Sequence, residues 1–196
     1  MTIAPDPASG HPAGQVATDR ERQRCYDAET STFGGTTFDE IVSWEDLVAL
    51  FEATVRHPWW LALGVRVPSL RPARSDSSTS SADGTMVRIA RRGRTAATLL
   101  HELTHHLVIT GPHDDPGHGP LFRALELRLA ELFGGTALRE ALGRAWRDHG
   151  LTVATWAGPE PRITQPLATS LVDAGPGRIR GAISLPSGRV ADRPTR

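Results

Sequence analysis

The chain has 196 residues, with 22 Lys plus Arg against 22 Asp plus Glu, and every fixed side-chain cation is Arg. A zero balance argues against a dedicated nucleic-acid binder, because phosphate binding wants a basic excess. A single cysteine, Cys25, excludes an internal disulfide and any zinc ribbon or finger built on cysteines.

No run of 18 apolar residues occurs, so no membrane span is expected. The first residues lack the basic start and apolar core of a signal peptide. Together these features predict a soluble protein of a reducing compartment, the cytoplasm. The length suits one domain of about 100–150 residues with tails.

Residues 1–14 are rich in Pro, Gly and Ala without periodicity and predict a disordered lead. A domain over 15–157 follows. Thr18 to Thr30 reads as a helix with sparse apolar positions. From Ser43, a capping residue, Trp44, Leu47, Val48, Phe51 and Val55 share one helical face until Pro58. Trp59 and Trp60 read as core or rim packing. Leu63, Val65 and Val67 alternate like a strand up to Pro68, and Ser75 to Gly84 is a polar loop. Met86, Val87 and Ile89 predict a second strand, read as an edge, with Arg91, Arg92 and Arg94 on a solvated face beside it.

Thr95 can cap a helix running to Ile109, stopped by Gly111 and Pro112. Pro120 opens another that ends at Gly134 and Gly135, and a last one spans Thr136 to His149. From Gly158 to Arg196 the chain is dense in Pro, Gly, Ser and Arg, and predicts a disordered tail that does not join the core. The fold class is α+β.

The helix from Thr95 carries His101-Glu102-Leu103-Thr104-His105, the pattern H-E-x-x-H. Residues four apart lie on one helical face, so both imidazoles can address one ion, and neutral imidazole is a preferred zinc ligand. Glu102 is the next residue round the helix, where a carboxylate meets the attacking water as general base. A catalytic zinc needs a third protein ligand and an open fourth position. His118, just before Gly119-Pro120 at a helix start, is the first choice; Glu126 on the following helix and His113 in the turn after Pro112 are its rivals. Val108 and Gly111 stand where a metzincin needs Gly and His, which excludes that class.

The segments HELTHHL and GHGPLF resemble the H-E-x-x-H…H-G-x-x-F arrangement of SprT-like and WLM-type zinc metallopeptidases. HPWW, TMVRIAR and the closing helices from Pro120 to His149 are similar to an actinobacterial metallohydrolase family, over roughly Asp19 to Leu151. The resemblance implies zinc on His101, His105 and His118, Glu102 as catalytic base, and a small zincin-like fold with the metal helix under a short sheet. The Cys-rich DNA-binding module that accompanies SprT-like proteases is missing from this sequence, so DNA-dependent proteolysis is not implied.

Other residues carry weaker expectations. His106 reads as a supporting or surface histidine, Asp114 and Asp115 as turn chemistry, and Cys25 as an inert side chain. Nothing in the sequence places Tyr26 near the histidines. The expected function is a zinc-dependent hydrolase, a peptidase whose extended peptide or protein substrate pairs with the strand near Met86 to Ile89. The rivals are a non-catalytic, zinc-stabilised binding module and a nucleic-acid-associated protein working through the Arg-rich segments.

Overall fold

The computed structural model describes residues 13–111, 117–162 and 165–168, and in them the fold is α+β. Helix α1 (Ala13–Phe33) runs past both ends of the expected 18–30 helix and begins at the edge of the expected lead. The expectation for residues 1–12 lies outside the described residues.

Helix α2 (Trp44–Val55) starts as its sequence predicts: the Ser43 hydroxyl accepts from the Asp46 amide at 3.0 Å, and Glu45 and Asp46 occupy the first turn. Leu47, Leu50, Phe51 and Val55 are its buried face. Pro58 then opens a short helix, α3 (Pro58–Ala62), where the His57 ring accepts from the Trp59 amide. Trp59 and Trp60 are buried in the core, as expected.

The strand expected over Leu63–Val67 does not form. Leu63 caps α3, Gly64 turns the chain at φ 66°, and Val67 is exposed. Alternation needs a neighbouring ladder to become a strand, and pairing begins only beyond Pro68. Strand β1 (Ser69–Pro72) runs parallel to β3 (Met86–Ile89), with Ser69 opposite Met86. A two-residue strand, β2 (Ser81–Ala82), lies within the expected polar loop and pairs antiparallel with β3. The order is β1-β3-β2, so β3 is central and both its edges are taken. This corrects the reading of Met86–Ile89 as an edge strand open to a peptide; β2 is an edge.

Helix α4 (Ala96–Thr110) is capped by the Thr95 hydroxyl, which accepts from the Thr98 amide at 3.0 Å, and it ends at Gly111. Leu99, Leu100, Leu103 and Leu107 are buried, and so are Thr104 and Val108. The helix packs on β2 and β3, on α2, and on α5 (Pro120–Asp148). It is therefore enclosed on most of its circumference. His106 is fully buried: its ring lies 6.2 Å from that of Trp60 at 6°, and its nitrogens meet the carbonyl oxygens of Asp83 at 2.8 Å and Arg66 at 2.7 Å. It is a strap between loops, neither a surface group nor a ligand.

The two expected closing helices are one element, α5, broken at Gly135, where φ is 75° and ψ is −173°. That conformation is open essentially to glycine alone. Gly135→Ala should cost about 1–3 kcal/mol; thermal unfolding at an unchanged Tm would refute the assignment.

The stretch from Gly158 was expected to stay off the core, and for its described residues this is corrected. The Pro159 carbonyl accepts from the Trp59 indole at 2.8 Å and the Trp156 indole at 2.9 Å. Leu167 and Ala168 donate backbone N–H groups to Leu132 and Phe133, and Ala168 is buried. Spaced hydrogen bonds and a few small apolar contacts seat this strap, which composition alone does not reveal. Among the described residues, no helix is long and apolar enough to cross a membrane.

Candidate metal centre

One helical turn separates His101 and His105 on α4, and their Nε2 atoms are 3.0 Å apart. His118, in the turn before α5, brings its own Nε2 to 3.3 Å from that of His101. The turn is anchored from below. Arg123 is fully buried, and its guanidinium donates to the His118 carbonyl at 2.6 Å and to the Thr152 carbonyl at 2.6 Å. The Phe122 ring lies beneath all three imidazoles, at 5.2 Å from His101, 4.7 Å from His105 and 4.8 Å from His118.

These nitrogens fit a metal ion. Tetrahedral zinc with Zn–N bonds of about 2.0–2.1 Å sets its ligand nitrogens about 3.3–3.4 Å apart, close to the separations found. Ligand imidazoles must also be neutral. Burial, reinforced by the neighbouring imidazoles, holds the His105 and His118 rings down at about 3. For His101, burial pulls the same way, but the Glu29 carboxylate outweighs it and holds the ring above its usual range. Glu29 Oε1 is 3.1 Å from His101 Nδ1. With Glu29 accepting there, the proton is assigned to Nδ1 and the lone pair of Nε2 faces the other two rings. His101, His105 and His118 are thus a group that could hold a metal ion.

The rival third ligands stand elsewhere. Glu126 is fully buried, but its carboxyl lies 3.9 Å from His101 Nδ1, behind the ring, where burial and then Glu29 raise its pKa. His113, Asp114 and Asp115 lie outside the described residues. Cys25, Glu29 and Glu126 form a second group of donor atoms, on the Nδ1 side of His101. Burial first, then Glu126, pushes the Cys25 thiol up, so it stays protonated and unreactive.

Glu102 and His101 both line a cavity of about 430 Å³. The cavity is walled by α1 through Tyr26, Glu29 and Phe33, by Thr79 next to β2, and by Arg92. Burial raises the Glu102 carboxyl to about 7 against the opposing pull of His101, with Glu29 adding to the rise. Its Oε2 is buried without a hydrogen-bond partner. A carboxylate poised near neutrality beside a cleft is suited to taking and returning a proton. Tyr26 also stands here, its ring 5.0 Å from that of His118 and 5.5 Å from that of His101.

Glu29 and Arg123 are the residues around the three imidazoles that sequence reasoning missed. Glu29 reaches the site from 72 positions away on a helix with few apolar residues, and no local motif marks it. The chain matches no family model, no curated protein and no solved structure, so the chemistry of these side chains is the ground on which its function stands.

Proposed function

We propose that the protein is a zinc-dependent hydrolase of peptide bonds, with His101, His105 and His118 as ligands and Glu102 as general base. The observation that carries this reading is the convergence of three imidazole nitrogens, one of them on the residue next to Glu102, whose Oε2 is buried without a hydrogen-bond partner at the lining of a cleft. A structural site has no use for that carboxyl. Zinc held there supplies a Lewis acid for the scissile carbonyl and a water acidic enough to attack near pH 7.

The chain's own groups do the rest. Glu102 takes one proton from the water as its oxygen bonds to the carbonyl carbon. It returns that proton to the leaving nitrogen as the C–N bond breaks. Glu29 holds His101 in the tautomer that presents Nε2. Tyr26 offers a phenol to the cleft, and Phe122 keeps the floor apolar. An extended substrate has β2 and the preceding Ser78–Ser80 run as the edge nearest the cavity. A cytoplasmic setting accords with the one free, buried thiol.

Elemental analysis of the purified full chain tests the metal, with about one zinc per chain expected from one set of three ligands. A mixed peptide library read by mass spectrometry tests the reaction. Protein that neither carries zinc nor takes it up removes the reading, and zinc-loaded protein that cleaves nothing in the library leaves a binding module in its place.

A further inference from the structure

α1 packs on α5 and meets α4 through a polar contact at His101. Among its described residues, only Cys25, Ala28 and Phe33 are apolar side chains buried in the core. Beside them, the Tyr26 ring lies against those of His101 and His118, and Glu29 joins the cluster behind His101. The Glu29 carboxylate accepts from His101 Nδ1 at 3.1 Å, and the Cys25 thiol donates to the same oxygen at 3.6 Å. Glu126 on α5 closes the group from the far side. The side chains of His101 and Glu29 are 11% and 13% exposed, so water contributes little screening there.

We propose that Glu29 is the positioning residue of the metal centre, and that through it the docking of α1 and the capture of the metal are one linked event. This rests on the reading of His101, His105 and His118 as metal ligands. A carboxylate that accepts from one imidazole nitrogen fixes the ring and raises the basicity of the other nitrogen. A cation drawn to Nε2 withdraws electron density from the ring, so Nδ1–H becomes a better donor to Glu29. The coupling is reciprocal by thermodynamic necessity: whatever α1 docking adds to metal affinity, metal adds to α1 docking. The effect falls on α1 because Glu29 belongs to it, and an element whose docking is linked to a ligand opens more readily without that ligand.

The test uses the full chain, with zinc itself as probe. Hydrogen exchange is compared between zinc-loaded and chelator-stripped wild type. Amides of α1 from residue 20 to 33 should lose protection on stripping, while those of α2 keep theirs. Zinc affinity is then measured for Glu29→Ala and Glu29→Gln. The alanine variant should bind about 10- to 100-fold more weakly, the range for losing a group that orients a ligand. The glutamine variant, which keeps an acceptor oxygen, should recover part of that loss. Its cobalt-loaded form should show a shifted visible band, which a merely structural role for Glu29 would not produce. Equal zinc affinity in wild type and Glu29→Ala overturns the proposal, and so does α1 protection that ignores zinc. Should Glu29→Ala fail to fold, the wild-type exchange comparison and Glu29→Gln still decide. Wild type that takes up no zinc overturns the ligand reading along with this one, whereas tight zinc binding with α1 unaffected overturns this one alone.

Discussion

Glu102→Gln should hold zinc as wild type does and hydrolyse peptides about 100- to 10,000-fold more slowly, the usual cost of removing a general base. The glutamine amide has nearly the shape of the carboxyl group but takes up no proton at neutral pH. Zinc content should not change, because Glu102 lines the cavity and is outside the group of three imidazoles proposed as ligands. The same variant carries a pH signature in the metal-free protein. Burial raises the Glu102 carboxyl to about 7 in the fold, above its value in the unfolded chain. Its contribution to stability is therefore full below the unfolded value and is lost as pH rises through about 7. Metal-free Glu102→Gln should be the more stable protein at about pH 8, with the difference gone by about pH 4. Equal cleavage by the two proteins would assign the base to another residue. Loss of zinc in the variant would make Glu102 a ligand.

His118→Ala should lose far more metal affinity than the tenfold to hundredfold expected for a group that only orients a ligand. It removes one of three donors, and the rise in Tm on adding zinc should disappear with it. Glu126→Gln should stay within that lesser range, because its carboxyl lies on the Nδ1 side of His101, away from the converging nitrogens. Isothermal titration with zinc after chelation ranks the two. If Glu126→Gln abolishes binding while His118→Ala keeps it, the ligand set is wrong. Arg123 makes the comparison sharp: it grips the His118 carbonyl from a buried position, so the turn should survive loss of the imidazole.

What could be read from the sequence followed local rules. Thr95, the four-residue step from His101 to His105, and the stop at Gly111 are features of one helix, and each is met in α4. Gly134-Gly135 marked a break that is present as a single non-helical residue. His118 was legible as a neighbour because Gly119-Pro120 fixes a helix start close behind it. Features that depend on distant partners were not legible. β1 exists because β3 pairs with it, and the alternation at Leu63–Val67 had no such ladder. His106 looked like a spare imidazole beside a motif, yet its role comes from carbonyls 23 and 40 positions away. Glu29 needed a helix of weak apolar pattern to dock before its carboxylate meant anything.

The Pro159 carbonyl has a practical consequence. It receives the indole N–H of both Trp59 and Trp156, so two of the five tryptophans in the chain report on whether the strap is seated. Lifting the strap exposes both indoles to water, and their emission should shift to the red. α1 contains the only tyrosine, Tyr26, and no tryptophan. Tryptophan emission therefore carries a contribution from the strap, while the helix that bears Tyr26 against the histidines holds none of the tryptophans.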